Sequence, residues 1–233
     1  IHKGGDIDEL SNWRPISLLL TMYKVYSSLW NNRLKYTPGI LSPVQRGFTD
    51  RNGCSDSISI LRTCIDNAHT SKSAIAIAWL DLTNAFGSVP HELITYSLNH
   101  FGLPEGFVEI IQDFYTGSFM RVCTTGTKTQ PIPMLSGVKQ GDPISPTLFN
   151  ISLELLIRSH LATSRGHKVI DSRVKLLAFA DDMAIVSDSH KTLQQDINSL
   201  DAIAEKLNLI FKPKKCASLI LDYGNANPTK IIR

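Results

Sequence analysis

Three aspartates stand where the chain is otherwise apolar. Asp81 lies near the end of the run AIAIAWLDL (74–82), and Asp181 and Asp182 interrupt VKLLAFADDMAIVSD (174–188). A carboxylate in such surroundings is costly unless it is protonated, hydrogen-bonded or coordinated to a metal. An aspartate at a strand end can simply accept backbone hydrogen bonds. Together the three acids also make a candidate hard-cation site, because Mg2+ takes oxygen ligands and is commonly held by one or two carboxylates plus substrate phosphates. Two such ions about 4 Å apart activate an attacking oxygen and stabilise a leaving one. That chemistry requires the two apolar runs to be neighbours in one sheet.

The elements that must position these acids follow from periodicity. The run 74–82 reads as a strand buried on both faces. The run 174–188 reads as a hairpin with the acids near its tip. SDSISILRTCIDNA (55–68) places Ile58, Leu61, Ile65 and Ala68 at helical spacing. VPHELITYSLNHFG (89–102) is a helix stopped by Gly102 and Pro104, and EGFVEIIQDFYTG (105–117) a short one closed by Gly117. FMRVCTTGTKTQPIPML (119–135) predicts a hairpin around Gly126. In SGVKQGDPISPTLFNISLELLIRSHLA (136–162) a loop precedes a helix, with Ser145 as its cap and Pro146 at its first position. Leu193, Ile197, Leu200, Ala204 and Leu207 form an amphipathic stripe, and FKPKKCASLIL (211–221) is a basic turn into a strand. Irregular alternation of strands, helices and hairpins predicts an α+β class.

The bulk numbers bound the rest. The 233 residues are 42% hydrophobic and 19% charged, which excludes a disordered chain. No apolar run approaches the roughly 20 residues of a membrane span, so no membrane partner is expected. A net charge of +3 permits a polyanionic partner without arguing for one. Cys54, Cys64, Cys123 and Cys216 are isolated, which disfavours zinc or a disulfide framework and fits a reduced, intracellular setting. The opening IHKGGDIDEL has neither an initiator Met nor a signal-peptide pattern, as expected of a piece of something longer.

Six blocks in order carry a resemblance. AWLDLTNAFGSVPH (78–91), SGVKQGDPISPTLFN (136–150) and LLAFADDMAIV (176–186) resemble motifs A, B and C of reverse transcriptases, most closely those of non-LTR (LINE-type) retrotransposons. NWRPISLL (12–19) and VQRGFTDRNGCSDSISILR (44–62) resemble the two fingers motifs, and LNLIFKPKKC (207–216) resembles motif D. The style of motifs B and C is similar to that of elements inserting into ribosomal genes. The resemblance implies a right-hand polymerase fold whose antiparallel palm sheet is backed by helices. It implies fingers over 1–73 and a palm over 74–233, with residues around 105–140 returning to their junction. No thumb is expected within this chain.

The resemblance also implies roles. Asp81, the Leu82 backbone and Asp181 would hold two Mg2+ ions, for which Mn2+ can substitute. Asp182 would be a further ligand, or a turn or outer-shell acceptor, since successive strand residues face opposite sides. Phe86 matches the position that excludes a ribose 2′-hydroxyl, and is otherwise a core Phe. Ala85, Gln140 and Gly141 would lie near the incoming nucleotide, with Gly141 allowing close backbone approach. Arg14, assisted by Lys3, would contact the triphosphate, as a planar guanidinium suits. Arg46, Gly47, Phe48, Arg51 and Pro146 would meet template or primer, although either arginine can be merely solvated. Lys215 would protonate the leaving pyrophosphate, or else belong with Lys212 and Lys214 to a solvated turn.

Several positions depart from the family pattern. Asn84 and Gly87 replace a usual basic residue and Asp in motif A, and Lys212 replaces Asn in motif D. Asn208 replaces Gly, a mild change because Asn tolerates left-handed dihedrals. None touches the metal-binding acids. The implied activity is an RNA-directed DNA polymerase using RNA template, DNA primer and dNTP, acting in the nucleus beside other domains of a polyprotein. A group II intron-type reverse transcriptase or maturase, and a domesticated non-catalytic binding relative, are the alternatives.

Overall fold

A computed structural model of the chain describes residues 1–124, 126–222 and 225–226, with the side chains of Ser11, Thr124, Asn225 and Ala226 left aside. YGNANPTKIIR (223–233), expected to lead toward a primer-grip block, lies outside them apart from that backbone pair. Along the chain run α1 (Thr21–Lys35), α2 (Gly53–Thr70), β1 (Ile75–Leu80), α3 (Ala85–Ser88), α4 (His91–His100) and α5 (Glu105–Tyr115). Then come β2 (Phe119–Met120), β3 (Cys123–Thr124), β4 (Thr127–Lys128), β5 (Ile132–Pro133), α6 (Ser145–Thr163), β6 (His167–Val169), β7 (Ser172–Val174), β8 (Leu176–Phe179) and β9 (Asp182–Ser187). The last are α7 (His190–Lys206), β10 (Ala217–Asp222) and β11 (Asn225–Ala226). Among the described residues no helix is long and apolar enough to cross a membrane.

Two compact units divide the chain. One holds 1–38 and 86–149, the other 39–85 and 150–233. Both are discontinuous in sequence.

The second unit is built on a five-stranded antiparallel sheet of order β11-β10-β1-β9-β8. β1 is central, with Ile77 opposite Leu219 on one side and Val186 on the other. A strand flanked on both sides can be apolar throughout, and Ile75, Ala76, Ile77, Ala78 and Leu80 are all buried. Ile75 and Ile77 share a face, which packs with Val186, Leu221, and Cys64 and Ala68 of α2. Burying each Ile or Leu there contributes about 1.5–3 kcal/mol. α7 lies against β1 and β9 through its apolar stripe, of which Leu193, Leu200 and Ala204 are buried. It starts at a capping box between Ser189 and Thr192 and ends before Asn208, whose φ is +55°. The expected tolerance of Asn at that position is therefore used.

The first unit packs α1 on α5 through aromatic rings. Tyr23 and Tyr26 meet Phe114 at 5.3 and 5.8 Å, and Trp30 meets Phe107 at 5.4 Å. The predicted hairpin around Gly126 forms, β2 with β5 and β3 with β4. The start of α6 differs from expectation. Ser145 is already helical and Ile144 takes the cap position, its carbonyl accepting the Leu148 N–H, so Pro146 is the second helical residue. The Ser145 N–H instead bonds the Asp142 carbonyl, closing the preceding turn.

Candidate active site

Asp81 and Asp181 occupy the same end of two adjacent strands. β1 pairs β9 up to Leu80 opposite Met183, and Asp81 is the next residue on one side. On the other side Phe179 opposes Asp182, which leaves Ala180 and Asp181 as a two-residue turn joining β8 to β9. The tip predicted for the hairpin is thus where the acids lie, and the two apolar runs are neighbours. Ala180 adopts φ +55°, the left-handed conformation that such tight turns require.

Beyond β1 the chain runs beside 210–212. The Thr83 N–H donates to the Ile210 carbonyl at 2.7 Å, and the Lys212 N–H to the Asp81 carbonyl at 2.8 Å. Leu82 opposes Phe211 between these two bonds. It is therefore a non-hydrogen-bonded pair, in which the Leu82 N–H and C=O point away from Phe211. The next residues form a 3-10 turn over Pro213–Lys215, with proline in its first positions. That turn brings Lys215 Nζ to 3.4 Å from Asp81 Oδ2.

Burial is the first reason that the Asp181 carboxyl is held above the usual carboxylate range. The charges of Asp182 and Asp81 push the same way, while Lys215 and a backbone hydrogen bond oppose them. Asp182 is exposed and begins β9, so its charge acts on Asp181 although its side chain starts from the strand rather than the turn. Among the described residues no three His, Cys, Asp or Glu side chains converge closely enough to hold an ion unaided. Two hard carboxylates are oxygen donors of the kind a divalent cation takes, with its remaining ligands supplied from outside these side chains.

In the second unit, Ala85 is buried and Arg46 is half-buried. Arg51 donates to the Pro43 carbonyl at 2.7 Å and Arg46 reaches Ser57 at 3.5 Å. Phe48 is exposed with φ +56°. Gly47 is buried, and a Cβ there would lie 2.2 Å from the Ala180 nitrogen. Its N–H donates to Gln45 Oε1 at 2.9 Å, and its carbonyl accepts from Asn150 at 2.7 Å.

In the first unit, the Phe86 ring stacks on buried Phe149 at 4.1 Å, and its carbonyl accepts the Val138 N–H. The Gln140 carbonyl accepts the Ser17 N–H at 2.6 Å. Gly141 has φ +112° and would place a Cβ 2.8 Å from the Ser17 carbonyl oxygen, so only glycine fits this loop. Pro146 is half-buried. Buried Asp142 accepts from Tyr23 and Ser27, and buried Lys139 donates to the Phe114 carbonyl at 2.6 Å. Arg14 and Lys3 have exposed side chains on a short antiparallel pairing in which His2 opposes Trp13.

Sequence reasoning passed over Gln45 and Asn150. Gln45 is 1% exposed and Asn150 is fully buried. The available signal was an amide within an apolar helix, as in TLFNISLELL (147–156), since a buried amide must be answered by hydrogen bonds.

Residues 1–230 match the family model described as reverse transcriptase (RNA-dependent DNA polymerase). The chain is 32% identical over 201 residues to the Pol polyprotein of the type-2 retrotransposable element R2DM of Drosophila melanogaster, covering 84% of the chain and 19% of that protein. It is 30% identical over 225 residues to a type-1 R2 element polyprotein of Popillia japonica, covering 94% of the chain and 31% of that protein. The RNA-directed DNA polymerase of the mobile element jockey from Drosophila melanogaster is 26% identical over 94% of the chain. These relatives are polyproteins or polymerases of which the chain spans less than a third. A telomerase structure from Candida tropicalis aligns with a TM-score of 0.60 at 11% identity, covering 87% of this chain and 34% of that one. The likeness shows the right-hand polymerase fold, with its antiparallel sheet and backing helices.

Proposed function

The chain belongs to the reverse transcriptase family, and on that premise we propose that it is the RNA-directed DNA polymerase segment of a non-LTR retrotransposon polyprotein of R2-like type. The observation that carries the proposal is the pair Asp81 and Asp181 at one end of adjacent strands β1 and β9, with the Asp181 carboxyl held above the usual carboxylate range, first by burial. In this reading Asp81, the Leu82 carbonyl and Asp181 hold divalent ions, Mg2+ with Mn2+ as a substitute. Asp182 adds negative charge to the site. When bound, the ions supply the charge that favours attack by a primer 3′-hydroxyl on the α-phosphate of a dNTP.

The other roles belong to the chain itself. Lys215 Nζ, beside Asp81, holds a proton that can pass to the leaving pyrophosphate. The Phe86 ring, backed by Phe149, excludes the 2′-hydroxyl of a ribonucleotide. Gln140, Gly141, Ala85, Arg14 and Lys3 serve the nucleotide, with the guanidinium on its phosphates. Arg46, Phe48, Arg51 and Pro146 serve template and primer. Both backbone polar groups of Gly47 are engaged within the chain, which supports a packing role for it. In polymerase terms 1–73 carry the fingers motifs and 74–233 the palm, with 105–140 near their junction. RNA template, DNA primer and further polyprotein domains are the partners, and a nicked nuclear DNA target is the site of action.

The test is incorporation of labelled dNTP on an RNA template with a DNA primer, using the full polyprotein with Mg2+. Template-directed extension is expected. Absence of both extension and Mg2+-dependent dNTP binding would identify a non-catalytic relative instead.

A further inference from the structure

We propose that Gln45 is a positioning residue for the reaction, whose carboxamide sets the turn that aims Asp181. The inference rests on the reading of Asp181 as an ion-holding residue. Gln45 Oε1 accepts the Ala180 N–H at 2.8 Å and the Gly47 N–H at 2.9 Å, while Nε2 donates to the Ala180 carbonyl at 3.2 Å. One side chain therefore grips both peptide planes that flank Ala180. The second of those planes contains the Asp181 nitrogen. Fixing it fixes the direction in which the Asp181 Cα–Cβ bond leaves the turn.

Ala180 needs such a grip. It holds φ +55°, a conformation that a residue with a Cβ adopts at a cost. A carboxamide is suited to this place, because it presents a donor and an acceptor together. A carboxylate accepts only, and a thioether does neither usefully.

The grip is itself anchored. Residues 44–46 run parallel to β8, with the Ala178 N–H on the Val44 carbonyl at 3.0 Å and the Arg46 N–H on the Ala178 carbonyl at 2.8 Å. Gly47 leaves no space between this segment and Ala180, and fully buried Asn150 of α6 holds the Gly47 carbonyl at 2.7 Å. Asp181 thus inherits its place from α6 through Asn150, Gly47, Gln45 and Ala180. The arrangement resembles the outer-shell hydrogen bonds that orient metal ligands, whose loss lowers metal affinity or activity about 10- to 100-fold.

The test compares Gln45→Met with the parent polyprotein in four measurements. These are kcat for dNTP addition, KM for dNTP, the Kd for primer–template, and Mn2+ binding in the presence of a non-reactive dNTP analogue, followed by electron paramagnetic resonance. The expected result is a fall in kcat and in Mn2+ affinity of about 10- to 100-fold, with KM and the primer–template Kd unchanged. If Gln45→Met does not fold, Gln45→Asn stays uncharged but draws the carboxamide back by one methylene from Ala180, and the same pattern is expected. A folded variant with parental kcat and Mn2+ affinity overturns the proposal, as does an equal loss in all four measurements, which marks a merely structural role. Asp181→Ala, run in parallel, separates the two readings. If it stays active, the ion-holding reading fails. If it is inactive while Gln45→Met is normal, only the Gln45 proposal fails.

Discussion

Lys215 Nζ lies 3.4 Å from Asp81 Oδ2, joining the basic turn after α7 to the residue that follows β1. The lysine side chain is more than half exposed, at 58%. An ion pair this open to water contributes about 0–1 kcal/mol to stability. In the proposed function Lys215 is the proton donor to the leaving pyrophosphate. Lys215→Leu is expected to leave the melting temperature nearly unchanged and to slow dNTP addition about 100-fold or more, the scale of general acid catalysis. Lys215→Arg keeps the charge but does not release a proton readily, so it is expected not to restore the rate. Single-turnover kinetics and thermal unfolding check both statements.

Asp181 carries the opposite balance. Burial and the nearby charges of Asp182 and Asp81 raise its proton affinity, so its ionised form is disfavoured by the fold. A carboxyl whose folded value is raised destabilises the native state above that value and has no such effect below its ordinary value of 3.8. Asp181→Asn is therefore expected to raise the melting temperature of the metal-free protein at pH 7 while abolishing activity. The gain should vanish as the pH approaches 3.8, and it should shrink when Mg2+ and dNTP together are added to the parent. Thermal scans with and without chelator read all three effects.

Phe86 stacks face-to-face on Phe149, with ring centroids 4.1 Å apart and planes 17° from parallel. Phe86→Val is expected to reduce the preference for dNTP over rNTP roughly 10- to 200-fold, the range that a small change of pocket volume commands. Phe149→Leu removes the support rather than the ring and should give a smaller loss in the same direction. The ratio of kcat/KM values for dGTP and GTP measures both.

Three buried or half-buried histidines set the response to acid. Burial lowers the proton affinity of His160, His167 and His91 below the ordinary 6.5, although Asp196 partly offsets it at His160 and Asp188 at His167. His160 Nε2 and His91 Nε2 each face a backbone carbonyl, of Lys175 and Gly137, and so act as donors in the neutral ring. The unfolded chain binds these protons first. The stability is thus present above about pH 6.5 and lost as the pH falls toward the lowered folded values. Urea midpoints should drop between pH 7.5 and 5.5, and His160→Gln should flatten the dependence.

The strands that carry the candidate site were legible in the sequence, and the unread part shares a physical cause. Strand β1 announced itself as an unbroken apolar run, since both its faces are covered, and the acids at the 174–188 turn were visible as charges inside another such run. Asn208 was legible because left-handed backbone leaves a compositional trace. Helix α1 was not, since its packing uses Tyr23, Tyr26 and Trp30 with a mixed polar surface, and only Ser27 and Leu34 are buried. The β6–β7 hairpin was missed because its three-residue strands are too short to show alternation. Gln45 meets Ala180 across 135 residues of chain, a separation at which local pattern carries no information. The same holds for the closing of Asp81 by Lys215, where family resemblance pointed to the lysine but not to its partner.

The central claim is that Asp81 and Asp181 together hold the ions on which DNA synthesis depends. The most direct measurement is Mg2+-dependent primer extension on an RNA template by the polyprotein carrying Asp81→Ala, Asp181→Ala or Asp182→Ala. The account predicts that the first two lose essentially all extension, and that Asp182→Ala, altering only charge near the site, keeps a measurable fraction. Near-parental extension by either Asp81→Ala or Asp181→Ala would contradict it.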